Sequence, residues 1–340
     1  MASPLRAGRG TNLAILVLLG GALATGTLAT AIGSGWSRWP VVAHGVVGLA
    51  LAVVAPWKTL ISRRGVRRRG ARSVPSLALA ALILLALGMG IAHAAGVERL
   101  GFLPARALWV HVAAALSAVP LAVWHVVARR TYPRRTDLSR RALLRGGAAL
   151  AGGAAAYVAY EGAIGALGLA GERRRHTGSH EAGSFDPSAM PTTIWLNDSR
   201  PGVDPASHLV MVTTPAGERP LAVSELAAFG DRVRATLDCT SGWFSTQDWS
   251  GIRLDRLVGT GAGRSVLVRS LTGYSRRFPL TDLSAMWLAT HVGGGPIDAG
   301  HGGPVRLVAP ERRGFWWVKW VDLVRVDDQP WWWQPPFPLT

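Results

Sequence analysis

Four long apolar stretches fill the first 130 residues: 12–32 (NLAILVLLGGALATGTLATAI), 40–61 (PVVAHGVVGLALAVVAPWKTLI), 75–95 (PSLALAALILLALGMGIAHAA) and 107–128 (ALWVHVAAALSAVPLAVWHVVA). A bilayer crossing takes about 20 apolar residues in a helix, so each predicts a transmembrane helix. A fifth stretch, 146–171 (GGAALAGGAAAYVAYEGAIGALGLAG), is Ala/Gly-rich, only mildly apolar and carries Glu161. From about residue 190 the period shortens. HLVMVTT, RSVLVRSL, PVRLVAP and WVKWVDLVRV read as strands between Gly/Pro-rich turns, and only VSELAAF and TDLSAMWLATH suggest short helices. The pattern predicts an N-terminal all-α transmembrane bundle and a C-terminal α+β domain. The expected boundaries are a four-helix membrane domain at 1–130, a fifth helix with its leading motif at 131–172, a polar linker at 173–189 and the α+β domain at 190–340.

The formal charge of +17 invites a nucleic-acid reading, but its distribution argues against one. Residues 1–172 hold 19 Lys/Arg against 4 Asp/Glu, whereas residues 173–340 hold 18 against 16. The excess sits in SRRGVRRRGARS and RRTYPRRTDLSRRALLRG, between apolar stretches, where positive charge sets membrane orientation. The other two loops, GSGWSRW and GVERLGFLPAR, carry little charge. The basic loops and the amino terminus are therefore expected on the cytoplasmic side, with the chain back in the cytoplasm near Arg129.

The run Leu138-Ser139-Arg140-Arg141-Ala142-Leu143-Leu144-Arg145 resembles a twin-arginine export signal: paired arginines, a short apolar patch and a further base. Such signals precede mildly apolar helices, which suits 146–171, and they move folded, cofactor-loaded domains. The plainer reading is one more basic loop. On the export reading the α+β domain lies outside the plasma membrane of a bacterium. With no small-x-small cleavage site following, the fifth helix stays as an anchor.

Four histidines fall within the apolar stretches: His44, His93, His111 and His125. Ionisable groups there point to function. His111 and His125 lie 14 residues apart, near one helix face and roughly 21 Å apart along the axis, which suits imidazole-held haems stacked across a bilayer. The position 14 after His44 is Lys58, so one outer haem b between His44 and His111 is the sharper expectation. The alternative is interfacial packing against Trp39, Trp109 and Trp124. The segment resembles four-helix b-type cytochromes.

One cysteine, Cys239, excludes an intrachain disulfide. In an oxidising compartment a lone thiol is buried and inert, or committed to a metal. The α+β half has no G-x-S-x-G, HExxH or C-x-x-C, and its carboxylates are scattered. A Cys-His hydrolase using His291 or His301 is conceivable, but HVGGGP and HGGPVR lend it no support.

CTSGWFSTQDWSGIRLDRLV, followed by GY and then HGGPVRLVAPERRGFWWVKWVDLVRVDD, resembles the molybdopterin domain of the sulfite oxidase family, most closely the periplasmic protein-methionine-sulfoxide reductase catalytic subunits. The resemblance implies that Cys239 ligates molybdenum, as suits a soft thiolate donor. It implies cofactor contacts from Ser270, His301, Arg306, Trp317, Val318 and Lys319, the last three closing a phosphate pocket through backbone N–H groups and an ammonium. Sulfite oxidases follow the cysteine with a basic run, whereas here Thr240-Ser241-Gly242-Trp243-Phe244 is uncharged. Arg276 and Arg277 are the nearest candidates for a substrate-side charge. The expectation is a membrane-anchored molybdopterin oxidoreductase moving an oxygen atom to or from an S-oxide, N-oxide or sulfite-like molecule. It would exchange electrons with a haem, the quinone pool or a redox protein. The rival is a haem-bearing electron-transfer protein whose outer domain binds without catalysis.

Overall fold

The computed structural model describes residues 9–69, 73–99, 106–128, 137, 139–195, 198–259 and 263–338, with side chains described throughout except at 60–69. Of the two basic stretches, residues 70–72, 129–136 and Leu138 at the head of the twin-arginine run lie outside the described residues, while 62–69 are helical rather than loop. The chain divides into two compact units, one formed by residues 1–29 and 36–178 and the other by 30–35 and 179–340.

The helical unit contains α1 (Arg9–Ala31), α2 (Arg38–Arg69), α3 (Val74–Ala95), α4 (Ala107–Ala128) and α5 (Arg140–Ala166). All five are long and apolar enough to cross a membrane. α3 packs along α4, and α2 along α5. The fifth helix is thus a packing member of the unit, and its Ala/Gly content has a local use. A Cβ on Gly153 would come 2.5 Å from the Val46 carbonyl oxygen and 2.7 Å from the Ala50 methyl, so glycine lets the two backbones approach. Ser139 caps α5 by accepting from Ala142 N–H at 3.3 Å, which puts Arg140 and Arg141 in the first helical turn. Glu161 is ion-paired with Arg174.

The second unit contains two mixed sheets. The first runs β1 (His180–Glu181), β5 (Trp243–Arg253), β8 (Trp287–Val292), β10 (Arg306–Val308), with β4 (Asp231–Cys239) also paired to β5 and β9 (Gly295–Pro296) to β8. The second runs β3 (Gly217–Ala222), β2 (Leu209–Thr214), β11 (Val321–Asp327), β6 (Ser265–Ser270), β7 (Ser275–Pro279). β1–β5 and β2–β11 are parallel and the other pairings antiparallel. Two short helices, α6 (Val223–Ala228) and α7 (Leu254–Val258), complete the α+β arrangement. One continuous core includes Trp249, Ile252, Leu288, Val305, Leu307, Val318 and Val324.

Two local expectations are corrected. TDLSAMWLATH is helical only in its first half, a 3₁₀ turn over Leu280–Ala285. Trp287–Val292 is instead a central strand, because its backbone is claimed on both edges by β5 and β10. The stretch 173–189 is not a free linker throughout. From Ser179 it belongs to the sheet unit, with His180 in register with Trp243, and His180 N–H donating to the Gly242 carbonyl at 3.0 Å.

Candidate functional site

β4 and β5 form a hairpin whose loop is Thr240-Ser241-Gly242. Gly242 adopts φ 93°, the left-handed conformation a three-residue hairpin loop requires, and its N–H donates to the Cys239 carbonyl at 3.1 Å. Cys239 ends β4 opposite Trp243, so the hairpin fixes the thiol at the sheet's end. A buried ion pair holds it from behind: Arg313 Nη1 binds the Asp238 carboxylate while Nη2 donates to the Cys239 carbonyl at 3.2 Å. Ser179 adds a hydroxyl bond to Asp238 at 2.7 Å.

Cys239, Ser270, His301, Arg306, Trp317 and Lys319 line one cavity. Arg306 is 1% exposed and sits over the faces of Trp249 and Trp317, at 5.2 and 5.5 Å from their centroids, with Nη1 donating to the His301 carbonyl at 2.7 Å. Burial lowers its pKa to about 10, against the opposing pull of Cys239 and Asp298. Lys319 donates to the carbonyls of Thr193 (2.9 Å) and Gly300 (2.6 Å), and burial, reinforced by Arg306, lowers its pKa to about 7. His301 has Nδ1 on Asp298 and Nε2 on the Met190 carbonyl at 2.9 Å. Ser270 Oγ accepts from Thr272 N–H at 3.2 Å.

Two of the expected contacts do not have the role assigned to them. Val318 is fully buried in the core away from the cavity lining. The Trp317 and Val318 amides are already spent on Gly314 and Trp316 carbonyls at 3.0 and 3.2 Å, so an amide-lined phosphate pocket is not formed there. Arg276 and Arg277 also turn elsewhere. Arg276 stacks on Trp316 at 4.0 Å and donates to the Pro335 carbonyl, while Arg277 is paired with Asp327 and Ser265. Neither lines the cavity itself, although Arg276 stands over Phe315, which does. His291, the other histidine weighed for a hydrolase, bonds Thr290 and lies outside the lining.

Sequence reading missed Pro191, Thr193, Ile194, Trp195 and Asp198 on one wall, and Tyr274 and Phe315 on another. The usable signal for the first group was Trp195 beside Asp198 in an otherwise polar approach to the domain. Tyr274 hydrogen-bonds the Phe315 carbonyl, and burial pushes its phenol pKa up.

The donor set suits an anionic metal cofactor. Arg306 Nε is buried with no hydrogen-bond partner, and neither Arg306 nor Lys319 has a carboxylate ion-pair partner among the described residues. A buried guanidinium and a part-buried ammonium without a carboxylate partner leave room for an anion. One soft thiol faces the same space. No cluster of three or more His, Cys, Asp or Glu arranged for a metal occurs among the described residues, so a metal there would have Cys239 as its protein donor and take the rest from its cofactor.

In the helical unit, His44 and His111 meet edge to face with ring centroids 5.7 Å apart. Their Nδ1 atoms face the Ala22 and Ala86 carbonyls at 3.0 and 2.7 Å. A carbonyl only accepts, so Nδ1 carries the hydrogen in each ring and Nε2 carries the lone pair. A Cβ at Gly26 or Gly90 would lie within about 3 Å of these rings. His93 and His125 are spent on the Gly178 carbonyl and Ser76 Oγ.

A comparison with curated proteins found no match. The crystal structure of the sulfane dehydrogenase SoxCD from Paracoccus pantotrophus is similar at 20% identity over 38% of this chain and 41% of that one, with a TM-score of 0.36. The match thus spans about two fifths of that protein. Residues 197–333 match the family model described as the oxidoreductase molybdopterin binding domain. That stretch contains the thiol, Arg306 and Lys319, so the part of the chain that forms the cavity matches an oxidoreductase molybdopterin-binding domain.

Proposed function

We propose that the chain is a membrane-anchored enzyme that moves an oxygen atom to or from a small uncharged substrate, such as an S-oxide or N-oxide, outside a bacterial plasma membrane. The observation that carries this reading is the single buried thiol sharing a cavity with a buried Arg306 and a part-buried Lys319, neither ion-paired to a carboxylate among the described residues. Cys239 would ligate molybdenum. Arg306 and Lys319 would hold the pterin phosphate, with His301, Ser270 and Trp317 bounding the pterin. Bound there, molybdenum supplies a centre that cycles by two electrons during oxygen-atom transfer. The chain's own part is to fix the thiolate through Arg313, keep water out with Trp195, Trp243 and Phe315, and orient the substrate. Past the cofactor-binding groups the lining offers aromatic rings, Thr193, Thr240 and Asp198. That wall disfavours an anion, which argues against sulfite.

Anchoring would come from α1 to α5, and export of the folded domain from the Arg140-Arg141 motif. A haem b held by His44 and His111 would pass electrons toward quinone or a redox protein, a role supported by two rings with fixed tautomers and free Nε2 lone pairs.

Metal and pterin analysis of detergent-purified protein tests the core of this reading. The wild type is expected to carry about one molybdenum and one pterin per chain, and Cys239→Ala to lose the metal and turnover with sulfoxides. Molybdenum retained at wild-type level in Cys239→Ala would sink the ligand assignment. Separately, reduced wild-type protein is expected to show sharp α and Soret bands that vanish in His111→Ala. Well-folded protein without those bands has no haem, and the helices are then an anchor alone.

A further inference from the structure

Beside the thiol lies a hydrogen-bond chain that the cofactor site does not itself require. Cys239 Sγ is 3.1 Å from Ser241 Oγ, and both residues are buried, at 8% and 6% exposure. Ser241 Oγ is 3.4 Å from Thr193 Oγ1, which in turn accepts from Trp243 Nε1 at 3.1 Å.

The direction of this chain is fixed at both ends. An indole N–H can only donate, so Thr193 Oγ1 accepts from Trp243 and has its own hydrogen to give Ser241. A metal-bound thiolate has no hydrogen, so it can only accept. Ser241 therefore receives from Thr193 and donates to sulfur. Each donor in such a chain is strengthened by the one behind it. The hairpin supplies the geometry: Ser241 stands two residues after Cys239, and the turn closed at Gly242 brings its hydroxyl back onto Sγ. Lys319 Nζ, bound to the Thr193 carbonyl, anchors the middle link.

We infer that Ser241, driven by Thr193 and Trp243, is a positioning residue that sets the electron-donating strength of the Cys239 thiolate, and with it the reduction potential of the metal. This rests on Cys239 being the metal ligand. A hydrogen bond to a metal-bound sulfur withdraws electron density and stabilises the reduced metal, raising its potential.

The test is a potentiometric titration of the one-electron-reduced, paramagnetic molybdenum signal in the full-length holoenzyme. Ser241→Ala is expected to shift the midpoint to lower potential. Ser241→Thr, which keeps the hydroxyl, is expected to restore it, and Thr193→Val to give a smaller shift of the same sign. Thr193→Val also decides the matter if Ser241→Ala fails to load metal, since it leaves both Cys239 and Ser241 in place. Midpoints unchanged in metal-replete Ser241→Ala and Thr193→Val would overturn the inference while leaving the ligand assignment standing. Absence of molybdenum from the wild type would overturn both, and metal analysis distinguishes the two failures.

Discussion

The two halves of the chain bury their apolar residues by different means. In the sheet unit, large side chains such as Trp249, Phe278, Ile252 and Leu288 are almost fully enclosed by protein. In the helical unit the most buried positions are small or few, among them Ala50, Ala107, Ala114 and Leu18, while Leu84, Leu28 and Val17 are exposed. The close approach of its α2 and α5 backbones is made by glycine and alanine, at Gly153 against Ala50, beside a small cluster of Leu18, Leu51 and Val54. The sheet unit is therefore assembled by removing apolar area from water. In the proposed membrane setting the helical unit would be assembled by close backbone packing, with lipid as the solvent for its outward side chains. A leucine is worth a large stabilisation in one half and little in the other.

The sharpest way to break that contrast is a matched pair of leucines, whose members stand at the two ends of the scale. Leu288→Ala, at a fully enclosed position, is expected to cost about 2–5 kcal/mol, read by denaturant unfolding of the purified protein. Next comes Gly153→Leu. Its side chain would meet backbone atoms of α2 that cannot step aside, and a loss of about 1–3 kcal/mol is expected, seen as lower thermal stability in detergent. If that variant proves neutral, the α2–α5 contact is not what holds the helical unit together.

The third effect is one of pH. Lys319 has its pKa lowered to about 7 by burial, against 10.5 for an ordinary lysine. Between these values the unfolded chain holds a proton that the folded, cofactor-free chain does not, so stability of that form should rise with pH across the window. Binding a phosphate dianion runs the other way, since it needs the ammonium. Cofactor affinity should fall by up to about tenfold per pH unit above 7, and Lys319→Met should flatten the profile while weakening binding. A flat wild-type profile would remove Lys319 from the phosphate site. The smallest effect closes the matched pair: Leu84→Ala, 62% exposed, should move stability by no more than about 0.5 kcal/mol. A loss comparable to that at Leu288 would mean that protein, not lipid, covers that face.

The same division explains what could be read from the sequence. The helices were visible because each is a long, continuous apolar run, and α4 matches its apolar stretch residue for residue. The strands β2, β6 and β11 were visible because each alternates or runs apolar between turns. β1 was not, being two residues long and defined only by its partner β5. In the cavity, Cys239, Ser270, His301, Arg306, Trp317 and Lys319 were legible through side-chain chemistry carried by a family likeness. Val318 was misassigned because a motif shows which residues are adjacent, not whose amides are already bonded. Pro191, Thr193, Ile194, Trp195 and Asp198 were missed because they stand outside any helix or strand and so have no period, and their place on the cavity wall depends on contacts distant in sequence.

The bond between Ser179 and Asp238, and that between Arg313 and the Cys239 carbonyl, draw on both ends of the domain, with Arg313 134 residues beyond Ser179. The thiol is consequently held only when the first segment after the fifth helix and one of the last segments of the domain have both docked. A half-folded chain lacks that grip, because Ser179 and Arg313 are brought together only by the finished domain. A soluble version of the domain cut at residue 190 would lack Ser179 and β1, and a cut ahead of Ser179 is the one that keeps the thiol's support.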